Sequence, residues 1–375
     1  MTQLYQDWPV TVLGLGNFGG GAAAARFLAE QGARVTITDL KTESELAESL
    51  AGLAEVPIER LALGGHPADV FETCRMLVVN PAVPPGHPGL AAAAARGVEL
   101  TTEIDLFIRH NRGRLIGITG SNGKSTTAAL THHLLRHSGL RSWLGGNIGA
   151  SLLPQLTQIQ PADVVVLELS SFQLELLRPR RFRPEIAVLT NFSANHLDWH
   201  GTVEAYRLAK QSIFSAQLSS DVSLIPARDE DLGIAQGEWR IRGRRHEFGT
   251  ADTGGDGAFF ESGALILRTG HGRLEDVLQL SIPSQLPGEH NTCNAAAAAA
   301  AAWLAGADPQ TFAGALQSYR PLPHRLQCVA ERGGRQFWND SIATTPESAM
   351  AALKHHSGRV VILAGVTANP VYPSC

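Results

Sequence analysis

Leu115-Ile-Gly-Ile-Thr-Gly-Ser-Asn-Gly-Lys-Ser-Thr-Thr127 is the stretch on which the reading of this chain turns. Leu115 to Thr119 is an apolar run of strand length, and the residues from Lys124 to about His137 read as a helix. Gly117, Gly120 and Gly123 precede Lys124 and Ser125, so backbone N–H groups at a strand-to-helix turn can cradle phosphates, which the helix dipole also favours. Gly120, Ser121, Asn122, Gly123, Lys124, Ser125 and Thr126 are therefore the candidate nucleotide loop. Lys124 is expected to offset charge on the β and γ phosphates, and the Ser125 hydroxyl to ligate Mg²⁺. The position five before Gly123 is Ile118, where the common phosphate-loop pattern has glycine.

Upstream, Val10 to Leu13 reads as a strand, followed by Gly14-Leu-Gly-Asn-Phe-Gly19 and an alanine-rich helix through Glu30. A second strand, Arg34 to Thr38, ends on Asp39. Taken alone, this glycine fingerprint with an acidic residue about 20 positions on points to NAD. Met76 to Val79 reads as a buried parallel strand and Ala91 to Ala95 as a helix, so one parallel α/β domain is expected over 1–105. Downstream of the nucleotide loop, Val164 to Glu168 and Ile186 to Asn191 are apolar strands ending on polar residues, where parallel sheets place their sites. Arg228 to Arg273 reads as loops with short antiparallel strands. A helix follows over Asn294 to Ala305, and a third unit is expected to begin with strands at Phe337 to Asn339 and Val360 to Leu363.

The chain has 375 residues, 44% hydrophobic and 18% charged, with net charge −4. That length calls for two or three domains. The charge gives no basic field for nucleic acid, and there is no apolar run of membrane-spanning length, so a cytoplasmic protein with neither partner is expected. Cys74, Cys293, Cys328 and Cys375 lie far apart and read as core thiols rather than as a disulfide frame or zinc site.

Three downstream residues bear on the chemistry. Glu168 ends a buried strand, so its carboxylate needs a partner, either a metal or a structural salt bridge. His196, in Asn191-Phe-Ser-Ala-Asn-His-Leu-Asp198, is placed to complete the coordination of a second cation, although a lone histidine is more often structural. Lys210 lies on an amphipathic helix, where a lysine is usually a solvated charge.

Taken with Gly145-Gly-Asn-Ile-Gly149, Leu167 to Glu175 and Leu322-Pro-His-Arg-Leu326, these segments resemble the Mur ligase family over nearly the whole chain. The resemblance implies an α/β fold of three domains. These are a Rossmann-like N-terminal domain (1–105), a central phosphate-loop ATPase domain (106–320) and the start of a Rossmann-like C-terminal amino-acid-binding domain (321–375).

The implied reaction is ATP-dependent ligation in peptidoglycan synthesis, by a monomer, with D-glutamate added to UDP-N-acetylmuramoyl-L-alanine through an acyl phosphate. Gly14, Gly16, Asn17, Phe18, Gly19 and Asp39 would then hold the uridine nucleotide in place of NAD, and Asn147 and Ser170 the substrate. The resemblance assigns Ser125, Glu168, His196 and Lys210 to two Mg²⁺ sites, with Lys210 carbamylated, and makes Lys124, His196 and Lys210 the catalytic group. Asn291 and Asn294 match positions near adenine, Arg325 a phosphate contact and Asp340 a ribose contact.

Ile342 stands where many relatives carry lysine, and Asn195 where aspartate usually precedes the histidine. Relatives continue for several tens of residues where this sequence diverges after Val361. The third domain is accordingly expected to be incomplete, in a chain that binds both nucleotides and ligates poorly. Alternative readings are another Mur-type or folylpolyglutamate-type ligase, a nucleotide-dependent binding protein, or a nicotinamide dehydrogenase.

Overall fold

The computed structural model describes residues 4–341 apart from 17–18, 229–231, 233–237, 284–285, 287 and 325–326, together with 349–350, 352–353, 359–363 and 365. Two sheets carry the architecture. The first holds β1 (Pro9–Leu13), β2 (Arg34–Asp39), β3 (Ile58–Leu63), β4 (Met76–Val79) and β5 (Glu99–Thr101), all parallel, in the order β3-β2-β1-β4-β5. Around it lie α1 (Gly20–Glu30), α2 (Ala47–Ala51), α3 (Asp69–Glu72), α4 (Pro88–Ala95) and α5 (Glu103–His110). Strand order reverses between β1 and β4, and their carboxyl ends open the crevice where such sheets bind ligands.

The second sheet comprises β6 (Arg114–Thr119), β7 (Ser142–Gly146), β8 (Val164–Glu168), β9 (Ile186–Leu189), β10 (Val222–Pro226), β11 (Arg244–Gly249), β12 (Gly257–Glu261), β13 (Ala264–Thr269) and β14 (Arg273–Gln279). Its order is β14-β13-β12-β11-β10-β9-β6-β8-β7. β6 is flanked by β8 and β9, both parallel to it, so three adjacent strands deliver their carboxyl ends to one place.

The expectation of loops and short antiparallel strands after Arg228 needs correction. β11 continues the parallel sheet beside β10 and itself pairs in parallel with β12, and only β12 to β14 are antiparallel. Phe248, Ala258 and Leu265 are buried in the core there, so this region extends the central domain.

Five helices follow the phosphate loop and the later strands: α6 (Lys124–His137), α7 (Ser171–Leu177), α8 (Leu197–His200), α9 (Val203–Gln211) and α10 (Glu289–Leu304). They are followed by α11 (Phe312–Ser318). α10 carries alanine from Ala295 to Ala302, every one buried. Alanine favours helix and lacks bulk, so α10 can lie close to α6 and the sheet along all its sides. That close approach matters below, because it brings Asn294 onto the phosphate loop.

After α11, β15 (Gln327–Arg332) and β16 (Arg335–Asn339) form an exposed antiparallel hairpin. Phe337 to Asn339 is thus a strand, but its partner is its own hairpin and not a new parallel sheet. Val360 to Leu363 carries no strand, and Val361 and Leu363 are 82% and 96% exposed. No neighbouring strand pairs with that segment among the described residues, and an apolar run without a ladder partner gains nothing from extending.

Candidate nucleotide and metal site

The phosphate loop is held from beneath by the chain leaving β9. The Thr190 hydroxyl donates to the Asn122 carbonyl at 2.5 Å, and the Asn191 side chain accepts from the Asn122 N–H at 2.9 Å while donating to its carbonyl at 3.0 Å. Ser121 Oγ donates to the Ser193 carbonyl and accepts from the Ser193 N–H at 2.8 and 2.9 Å. Thr190 and Ser193 were not singled out from sequence. Their chemistry is ordinary, and only the β6–β9 register shows what they grip.

Gly120 and Gly123 have φ of 153° and 80°. A Cβ on Gly120 would fall 1.9 Å from Thr190 Oγ1, and one on Gly123 would fall 2.2 Å from Asn294 Oδ1, so both glycines are required by contact as well as by backbone angle. Gly123 caps α6 without a side-chain hydrogen bond, leaving the first-turn N–H groups facing the loop. Lys124 folds back over the loop, with Nζ 3.0 Å from the Ser121 carbonyl.

Glu168 sits one strand away from that loop. It is 1% exposed, and Asn147 binds it twice, backbone N–H to carbonyl at 2.8 Å and Nδ2 to Oε1 at 3.3 Å. Oε2 is buried with no hydrogen-bond partner. A buried carboxylate oxygen left in that state is costly, and a divalent cation is the partner that suits it. Among the described residues no group of three or more His, Cys, Asp or Glu is spaced to hold a metal. A cation here would therefore draw on other oxygens too, such as the Ser125 hydroxyl lining the same cleft.

Lys210 departs from the solvated lysine that its helix suggested. It is 1% exposed, and its ammonium donates to the Gly120 carbonyl at 2.7 Å and lies 4.6 Å from the centre of the Tyr206 ring. Burial, followed by the charge of Lys124, holds its pKa well below the ordinary lysine range, with Glu168 pulling the other way. As an ammonium it is a donor and no metal ligand.

His196 begins α8 at φ 53°, and its ring packs edge-on against Phe172, with centroids 5.0 Å apart. Burial, Lys124 and Lys210 lower its pKa, which keeps the imidazole neutral with a lone pair to offer. Next to it, His200 is stacked on Phe172 and bonded to the Ser171 hydroxyl at 2.9 Å. Burial pulls its pKa down to about 4.

Of the remaining nucleotide candidates, Asn291 and Asn294 are buried on α10 and bonded to each other at 3.2 Å, and Asp340 lines the cleft. Arg325 and Ile342 lie outside the described residues. Ser170 lines the cleft as the N-cap of α7, in a capping box with Gln173. Asn195 uses its side chain to accept the His196 N–H at 2.8 Å.

In the first sheet, Asp39 accepts the Leu15 N–H at 2.8 Å and the Lys41 N–H at 3.0 Å, which fixes the turn after β1 to the end of β2. Gly14, Gly16 and Gly19 have positive φ, and Asn80, missed from sequence, lies against Gly14 and Gly16. Asn17 and Phe18 lie outside the described residues. α1 starts at Gly20 without a side-chain cap or an acidic residue in its first turn, so its N-terminus suits an anion. A single cleft of about 2000 Å³ joins this turn to the phosphate loop, Glu168 and His196.

A phosphate loop and a buried carboxylate with one unpartnered oxygen, in one cleft with a second glycine turn, mark a nucleotide-dependent α/β enzyme. A model of the Mur ligase middle domain matches residues 118–302, and one of the Mur ligase MurD-like N-terminal domain matches 9–102. The chain belongs to the Mur ligase family, whose members use ATP and Mg²⁺.

Within that family it is 40% identical over 362 residues to the UDP-N-acetylmuramoylalanine–D-glutamate ligase of Roseiflexus sp. (strain RS-1), covering 94% of this chain and 77% of the relative. Over 365 residues it is 40% identical to the ligase of the same name from Geobacillus kaustophilus (strain HTA426), covering 96% and 77%. The fold is also that of a murein peptide ligase from Psychrobacter arcticus 273-4 (TM-score 0.59, 16% identity, 92% of this chain and 75% of that one). It is likewise that of UDP-N-acetylmuramate-alanine ligase MurC from Thermotoga maritima (TM-score 0.56, 20% identity, 93% and 77%). Among the described residues no helix is long and apolar enough to cross a membrane.

Proposed function

We propose that this chain is an ATP-dependent ligase that adds D-glutamate to UDP-N-acetylmuramoyl-L-alanine in peptidoglycan synthesis. The observation that carries the reading is the orphaned Glu168 Oε2 beside the Lys124 phosphate loop, in a cleft continuous with the Gly14–Gly19 turn. The names of relatives 40% identical over almost the whole chain support the same substrates. In this reading the first sheet takes the UDP end of the acceptor, the second sheet takes ATP, and the chain after Pro321 begins the amino-acid-binding part.

The reaction has two steps. An oxygen of the alanyl carboxylate attacks the γ-phosphorus of ATP and ADP leaves. The amine of glutamate then attacks the acyl carbon and phosphate leaves, giving the amide. Lys124, above the loop, offsets charge on the transferring phosphoryl group, and the α6 N–H groups hold it in line. Asn147 keeps the Glu168 carboxylate turned toward the cleft. Ser125, Glu168 and neutral His196 would hold Mg²⁺, which when bound supplies charge neutralisation between phosphate and acyl oxygens.

Lys210 enters this scheme as a carbamate. Its depressed pKa favours the free amine, whose lone pair can add to CO₂ with loss of one N–H proton. The product replaces a cation that repels Lys124 with an anion that attracts it, and supplies oxygens for a second Mg²⁺ site.

Phosphate release is measured with ATP, Mg²⁺, UDP-N-acetylmuramoyl-L-alanine and each glutamate isomer. Release that requires both the acceptor and D-glutamate is expected. Turnover with another amino acid in place of D-glutamate, or release independent of the acceptor, would overturn the assignment. The same assay measures how well this 375-residue chain ligates.

A further inference from the structure

Glu103 is an acidic group of the cleft that the ligation chemistry leaves unused. It opens α5, directly after the Thr102 N-cap, and stands where the two sheets meet. Its Cγ lies 3.9 Å from where a Cβ on Gly20 would be, so it faces the uncapped start of α1. From the other side the Ser151 hydroxyl donates to its Oε1. Ser151 belongs to the segment that follows Asn147, and Asn147 holds Glu168. Glu103, Ser151, Gly20 and Asn147 all line the shared cleft.

A carboxylate in this position conflicts with an anionic ligand. The N–H groups at the start of α1, which the Gly19 N-cap leaves without a side-chain cap, are suited to an anion such as a diphosphate. A negative charge on Glu103 beside them would oppose its entry, whereas a neutral carboxyl can accept from Ser151 with one oxygen and donate to the ligand with the other.

We propose that Glu103 is an acceptor-binding residue whose carboxyl takes up one proton when the diphosphate of the UDP-linked substrate seats at the start of α1. This rests on the reading of the first sheet as the UDP end of the site.

The surroundings leave that proton little competition. Burial raises the Glu103 pKa above the ordinary glutamate value, opposed by the Ser151 hydrogen bond, and among the described residues no charged side chain acts on it. α1 and the 151–155 segment pack against this end of α5. On α1 the charged side chains are Arg26 and Glu30, which pair with each other, and the 151–155 segment carries none. On α5 itself, Asp105 and Arg109 are engaged with each other and with Glu99 and Arg180.

The test is calorimetric titration of the full chain with UDP-N-acetylmuramoyl-L-alanine between about pH 5 and about pH 8, in buffers of differing ionisation enthalpy. Its diphosphate is a diester and its carboxyl titrates well below this window, so the ligand adds no proton step. Wild type is expected to take up about one proton. Its Kd should rise by up to about tenfold per pH unit once Glu103 ionises in the free protein.

Glu103→Gln, which mimics the neutral form, should bind as tightly as wild type at the acid end, lose the proton uptake, and stay tight as pH rises. Glu103→Ala should bind weakly throughout, and Ser151→Ala should add little to it. Proton uptake in Glu103→Gln equal to that of wild type would overturn the inference and assign the proton to another group, such as His66 or His87 on the same cleft. Failure of wild type to bind this ligand at any pH would overturn the reading of the first sheet, and the inference with it.

Discussion

Lys210 Nζ lies 2.7 Å from the carbonyl oxygen of Gly120, which ties α9 to the start of the phosphate loop. The two residues are 90 apart in sequence, and the contact is buried. It makes this lysine a support of the loop, and burial shifts it toward the free amine.

Lys210→Met is expected to keep the fold, because methionine fills the buried stem, while stranding the Gly120 carbonyl at a cost of about 1–3 kcal/mol. Ligation should fall by about 100-fold or more. Labelled bicarbonate should give a carbamate carbon resonance in wild type and none in the variant. If that resonance is missing from active wild type, the carbamate is excluded.

Lys124→Ala removes the cation above the loop without touching the first sheet. Turnover should drop about 10²- to 10³-fold, while calorimetric binding of UDP-N-acetylmuramoyl-L-alanine is unchanged. Equal loss of both would mean that the glycine turn and the phosphate loop are not separate sites.

Gly123→Ala forces a Cβ to 2.2 Å from Asn294 Oδ1 at φ 80°. The variant should lose roughly 1–3 kcal/mol of stability in urea unfolding, together with ATP binding. Adding Asn294→Ala relieves the collision but not the backbone angle, so only part of the stability should return. A single variant as stable as wild type would show that the loop does not depend on this contact.

Burial holds His132 on α6 and His200 on α8 down to about 4, well under the ordinary histidine value. Between roughly 6.5 and about 4 the unfolded chain therefore binds protons that the folded chain refuses. The stability these groups contribute is full above about pH 6.5, declines as pH falls, and is gone once pH drops through the folded values. After allowance for solvent contact each accounts for about 1–2 kcal/mol. Urea unfolding at about pH 7 and about pH 5 should show the loss, and His132→Gln should shrink it. An unchanged pH difference in that variant would rule His132 out as a source.

Much of this was legible in the sequence because it rests on local rules. The phosphate loop is a strand, a set of glycines and a helix start within thirteen residues, and the turn after β1 is the same device again. Val164 to Glu168 was legible as a strand from its apolar run alone. What escaped was non-local. β11 joins a parallel sheet because β10 lies beside it, although its own residues, Arg244-Arg-His-Glu-Phe-Gly249, alternate too weakly to say so. Thr190, Asn80 and Glu103 carry no motif and matter only through what the sheets bring near them.

The sequence by itself determined the phosphate loop, the glycine turn and the family resemblance, since spacing along the chain is enough to place backbone N–H groups and a lysine together. Tertiary structure alone decided that Glu168 has a buried oxygen without a partner, and that Lys210 sits under Gly120 and not in solvent. It also placed Glu103 between the two sheets. Burial and the field of distant charges set the protonation of such groups, and neither is a property of neighbours in sequence.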